Sequence, residues 1–118
     1  MTKYKICFVT ADSEELASKI ARKLVEEKLA ACVNIIKNLR SVYRWHDKIE
    51  EAGEVLLVIK TKSVLAQDVI MAVKSLHTYS VPEIIFFDLS DGSGEYLDWL
   101  GANTLFTSNI PIDREKGG

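Results

Sequence analysis

The segment Glu54–Glu83, EVLLVIKTKSVLAQDVIMAVKSLHTYSVPE, changes its hydrophobic period from strand to helix and then meets a forced turn. Val55 to Ile59 is a continuous apolar run, which predicts a strand buried on both faces within Glu54–Lys62. Ser63 then offers a cap for a helix whose stripe is Leu65, Val69 and Val73 with Ala72 and Leu76. The helix should stop near His77. Pro82 fixes its own φ and pushes Val81 toward an extended conformation, so the chain has to turn there before a last strand at Ile84–Leu89.

Upstream the same alternation recurs. Lys3–Thr10 puts Tyr4, Ile6 and Phe8 on one face and Lys5, Cys7 and Val9 on the other, a strand pattern. Asp12 and Glu15 have capping-box spacing. Leu16, Ile20 and Leu24 with Ala17, Ala21 and Val25 then form a helical stripe ending near Lys28. Ala31–Ile36 and Val42–Trp45 read as one strand interrupted by a bulge or bend at Lys37-Asn38, and His46-Asp47 turns the chain. Lys48–Glu51, and Glu54–Lys62 past Ala52-Gly53, return it. Downstream, Asp91–Gly94 is a turn and cap before a short helix at Glu95–Asn103. The order β-α-β-β-α-β with an added C-terminal helix predicts an α+β, ferredoxin-like sandwich with an extended hairpin between its second and third strands. Right-handed crossovers put the first and third strands in the centre and the second and fourth at the edges.

A chain of 118 residues with 47% apolar content is one domain, 1–118, with a core of its own and a polar tail over about 113–118. The net charge of −2 gives no general attraction to phosphate backbones or anionic lipid, so neither nucleic acid nor membrane is expected as a partner. No secretory signal pattern opens the sequence, and Cys7 and Cys32 lack C-x-x-C spacing, which together predict a cytoplasmic protein with free thiols. The strand order separates these cysteines by about two strand spacings, ~10 Å, too far for a disulfide. The overlong hairpin needs its edge covered, most simply by further copies of the chain.

Many activities use this sandwich. Three are argued against by the residues. The third strand lacks the aromatics an RNA-recognition surface stacks on bases. The loop Thr10–Ser13 has no thiol for a soft-metal chaperone pair. The same loop leads into Asp12, Glu14 and Glu15, where an anion cradle would want glycine and arginine.

Taken together, Ala30-Ala31-Cys32-Val33-Asn34, Arg40-Ser41-Val42-Tyr43-Arg44-Trp45, Lys48-Ile49-Glu50, Lys60-Thr61 and His77-x-Tyr79-x-Val81-Pro82-Glu83-Ile84 resemble the CutA family of divalent cation tolerance proteins. The motifs run in matching order from Val9-Thr10 to about Asn103. The resemblance implies a trimer assembled through the long hairpins, a role in divalent metal tolerance with copper binding, and no enzymatic activity. The family trimer is similar in architecture to the PII signalling proteins, so a sensor of a small metabolite in intersubunit clefts is the alternative. The chain departs from the family pattern at Thr78, where a proline usually follows the histidine, at Lys37-Asn38 in place of Pro-Gly, and at Asp47 in place of the turn glycine.

Cys32 as thiolate and His77 as imidazole are the soft and borderline donors that suit copper or zinc, with Glu83 as an oxygen donor. Cys32, flanked by alanine and valine, also reads as a small buried hydrophobe, and His77 as a cation at a helix C-terminus. Lys60, Thr61 and Tyr79 are the candidates for a ligand cleft. Tyr43 and Trp45 are most simply interface anchors, where aromatics concentrate binding energy.

Overall fold

The computed structural model of the protein describes residues 2–110, so the expected tail at 113–118 lies outside the described residues. The elements are β1 (Tyr4–Ala11), α1 (Glu14–Glu26), β2 (Cys32–Trp45), β3 (Lys48–Lys62), a 3-10 turn (Ser63–Leu65), α2 (Ala66–Leu76), β4 (Ile84–Asp88) and α3 (Gly94–Ala102). They form one antiparallel sheet in the order β2-β3-β1-β4, with the first and third strands central as expected. The two helices α1 and α2 pack on one face.

Period-2 alternation decides which side chains meet the helices. Cys7, Val9 and Ala11 of β1 and Val55, Leu57 and Ile59 of β3 point toward Leu16, Ile20 and Leu24 of α1 and Val69 and Val73 of α2, and all are buried. Full burial of Ile20, Leu24, Leu57 or Ile59 is worth about 1.5–3 kcal/mol each. The opposite face carries Ile6, Phe8, Leu56, Val58, Ile85 and Phe87, all only partly covered. The expected burial of β3 on both faces is therefore corrected: from Glu54 to Thr61 its residues alternate between buried and half-buried.

Local details also differ from the sequence reading. The cap of α1 is Ser13, whose Oγ accepts the Leu16 N–H at 3.1 Å, one residue later than the expected Asp12. That helix stops at Glu26 because Lys28 turns left-handed at φ 59°, and the N–H groups of Leu29 and Ala30 return to the Leu24 carbonyl. Ser63 opens a 3-10 turn and its hydroxyl donates to the Thr2 carbonyl at 2.5 Å, so it does not cap α2. Ala52-Gly53 does not break β3, which is continuous from Lys48 to Lys62.

The bulge expected at Lys37-Asn38 is present between Ile36 and Leu39, with Asn38 at φ 65°. Asparagine tolerates that geometry without a glycine. His46 and Asp47 close the hairpin with both φ values positive, 50° and 64°.

Helix α3 and the segment after it cross the otherwise open sheet face at one end. A Cβ on Gly101 would sit 2.6 Å from the Tyr4 hydroxyl, so any larger residue there would push the Tyr4 side chain aside. Lys62, buried beneath the segment, donates its ammonium to the carbonyls of Thr104 and Leu105 at 3.3 and 3.0 Å. That burial, with Lys3 nearby, lowers its pKa. No described helix is long and apolar enough to cross a membrane.

Candidate functional site

The sheet carries two separate groups of the expected residues, one at each end. Cys32 pairs with Lys60 across β2 and β3, and Lys60 with Ile6 of β1. Thr10, four residues further along β1, marks the other end, about 13 Å away at the rise of a strand. His77, Tyr79 and Glu83 belong to that far end.

At the near end the Cys32 thiol is half-buried, and the Lys60 ammonium donates to its sulfur at 3.8 Å and to Asn34 Oδ1. Burial and the neighbouring Cys32 push the ionisation of the Tyr96 phenol on α3 upward. Cys7 lies on the other sheet face with β3 between it and Cys32, and both thiols are free. Its burial pushes the Cys7 thiol up to about 12.

At the far end the forced turn brings the polar residues onto the base of the hairpin. His77 is the C-cap of α2, its backbone N–H donating to the Val73 carbonyl. Its side chain does not serve as a cation on the helix dipole. Nε2–H donates to the Thr10 carbonyl at 2.7 Å, and Nδ1 accepts the Tyr79 N–H at 3.1 Å, a pattern that identifies the neutral Nε2–H tautomer. Both nitrogens are thus hydrogen-bonded within the chain, and a metal on Nδ1 would have to displace the Tyr79 N–H. The Thr78 hydroxyl donates to Asp12 Oδ2 at 2.9 Å, so the residue that replaces proline ties the joint to the start of α1.

Tyr79 packs its ring against His77, centroids 4.7 Å apart, and its hydroxyl donates to Glu54 Oε2 at 2.7 Å. Burial first, then the bond to Glu54 and the charges of Glu54 and Asp12, push its ionisation far up. Tyr79, Glu83, Tyr43, Trp45 and Glu54 together line a cavity of about 650 Å³.

The sets drawn from sequence are therefore redistributed. Cys32 does not meet His77 or Glu83 within the chain. Among the described residues no group of three or more His, Cys, Asp or Glu side chains is placed to hold a metal ion. Lys60, Thr61 and Tyr79 do not share a cleft. Thr61 faces the helices, fully buried, with its hydroxyl donating to the Leu29 carbonyl at 2.6 Å, a structural bond. Tyr43 and Trp45 stand exposed along the hairpin, and both line the cavity. Glu54 was missed. Its signal was a carboxylate in register with Leu56 and Val58, on the half-covered face of a central strand.

The family model of the CutA1 divalent ion tolerance protein matches residues 5–103. The divalent-cation tolerance protein CutA of Thermus thermophilus is 47% identical over 100 residues, covering 85% of this chain and 97% of that protein. The mouse protein CutA is 45% identical over 102 residues, and the match spans 86% of this chain and 58% of the mouse protein. Among solved structures, CutA1 from Oryza sativa superposes with a TM-score of 0.87 at 37% identity, covering 90% of this chain and 97% of the rice chain.

Proposed function

Because the chain belongs to the CutA1 divalent ion tolerance family, we propose that it acts as a homotrimer in the response to divalent metal ions, binding copper or another divalent cation with donors drawn from more than one subunit. The observation that carries this reading is the isolation of the donors. Cys32 and Glu83 are at opposite ends of the sheet, and no third His, Cys, Asp or Glu in the described chain completes a set around either. A divalent site of useful affinity takes three or four ligands. Assembly is the economical way to supply them.

The open sheet face supports assembly independently. Ile36, Ile85 and Phe87 are 49%, 45% and 47% exposed on it, and the hairpin adds Tyr43 and Trp45. Contiguous apolar surface of this kind marks an interaction site. The number three comes from the family resemblance. We read the protein as having no catalytic activity; both nitrogens of His77 are already engaged in hydrogen bonds within the chain. Its two unpaired thiols fit the reducing cytoplasm.

The test joins sedimentation equilibrium to copper titration of wild type, Cys32→Ser and Glu83→Gln. A mass of three chains is expected, with metal bound by the assembled protein and weakened in at least one variant. A monomer that binds copper at unchanged affinity would refute the reading.

A further inference from the structure

The helix side of the sheet, opposite the open face, carries another cavity. It lies where the chain returns past α1 and α2 after α3, and its lining includes Glu27, Leu29, Asp68, Met71, Ala72 and Ile110 around a volume of about 320 Å³. Small-molecule sites begin at about 300 Å³. None of its residues belongs to the hairpin, to the open sheet face or to the metal donors considered above.

Asp68, in the first turn of α2 and only 6% exposed, decides its chemistry. Oδ2 accepts the Asn109 N–H at 2.9 Å, whereas the buried Oδ1 has no hydrogen-bond partner among the described residues. A helix N-terminus suits the charge of a carboxylate, but here it supplies no donor to this oxygen. Buried polar atoms are nearly always hydrogen-bonded, and an unpaired one is costly, the more so when charged. The other charges on the lining cancel, with Lys23 Nζ and Glu27 Oε2 3.0 Å apart. Asp68 has no ion-pair partner among the described residues.

Leu29, Ala72 and Ile110 make the rest of the lining apolar, and Met71, unbranched and 59% exposed, is its adaptable wall. An anion would meet Asp68 unfavourably. A metal ion would find no third His, Cys, Asp or Glu placed beside the two carboxylates. The walls suit a positively charged N–H donor carried on an apolar stem.

We propose that this cavity binds a short primary alkylammonium, one N–H donating to Asp68 Oδ1 and the alkyl chain lying on Leu29, Met71 and Ile110. Binding there needs neither Cys32 nor Glu83, so the site stands or falls apart from the metal reading.

Titration calorimetry of the full-length protein at neutral pH tests it with three probes. Butylammonium chloride has both charge and donor, butan-1-ol has a donor without charge, and tetramethylammonium chloride has charge without a donor. Butylammonium should bind saturably and at least about tenfold more tightly than either comparator, the margin of a charge-assisted hydrogen bond over a neutral one. Asp68→Asn keeps an acceptor for the Asn109 N–H and puts an amide NH2 in place of Oδ1, so the preference for butylammonium over butanol should vanish. Met71→Trp narrows the cavity from an exposed position and leaves Asp68 intact. It should weaken butylammonium at least about tenfold at unchanged melting temperature, and it decides the matter alone if Asp68→Asn does not fold. The double change Arg114→Gln, Lys116→Gln should leave the affinity as in wild type. The proposal is overturned by absent butylammonium binding, by equal affinity for either comparator, or by wild-type binding in a folded Asp68→Asn or Met71→Trp. A gain of about tenfold or more in the double variant would also overturn it, by making the chain's own cations the occupant.

Discussion

Nε2 of His77 stands 2.7 Å from the carbonyl oxygen of Thr10, so the imidazole ties the end of α2 to the end of β1 while its other nitrogen holds the backbone of Tyr79. His77→Ala strands a carbonyl and an N–H at a half-buried turn and should cost about 1–3 kcal/mol in urea unfolding. Copper affinity of the folded variant should not change. Lost copper binding at full stability would make His77 a ligand after all.

The sequence made the sheet order legible because each strand and helix announces itself by period, and chirality leaves few ways to connect them. The site was less legible. Local spacing groups Lys60 with Thr61, yet adjacent strand residues face opposite sides of a sheet, and these two are separated by it. His77 was read by its donor chemistry, but its role follows from a partner far off in sequence, the Thr10 carbonyl. Glu54 pairs with Leu39 only because the Lys37-Asn38 bulge shifts the register, and that shift is settled by tertiary pairing.

Cys7 should impose an alkaline limit on stability. Its folded pKa, about 12, lies above the ordinary thiol value of 9.0 because burial disfavours the thiolate. Its contribution is therefore fully present below pH 9 and is lost as pH rises toward 12, when the unfolded chain gives up a proton that the folded chain keeps. The slope is at most about 1.4 kcal/mol per pH unit for one group. Denaturant midpoints from pH 8 to 10.5 should fall in wild type and fall less steeply in Cys7→Ala. In the native state a thiol reagent should label Cys32 first and reach Cys7 only on unfolding. Equal labelling rates would contradict the buried placement.

The hairpin turn leaves room for stabilisation. His46 and Asp47 both occupy left-handed geometry, at φ 50° and 64°, which a two-residue turn of this kind fills best with Asn-Gly. The double change His46→Asn, Asp47→Gly should relieve strain and raise stability by roughly 1 kcal/mol, less whatever is lost with the edge-to-face contact between Trp45 and His46. Thermal unfolding is the measure. A lower melting temperature would show that the ring contact holds the turn more firmly than its residue types do.

Trp45 and the open sheet face offer a test of the proposed assembly. Trp45 is 44% exposed on a hairpin that also presents Val42 at 65% and Ile49 at 62%, more apolar area than an isolated chain would leave in water without a partner. If Trp45 is a buried anchor of the proposed trimer, Trp45→Ala weakens association by about 2 kcal/mol or more, the range of aromatic hot spots. The fold of each chain should persist, because the core under α1 and α2 does not include this residue. Sedimentation at falling concentration should show the variant dissociating where wild type remains assembled, with far-ultraviolet dichroism unchanged. An identical dissociation curve would place Trp45 at the rim, leaving Ile36, Ile85 and Phe87 as the residues that close the interface.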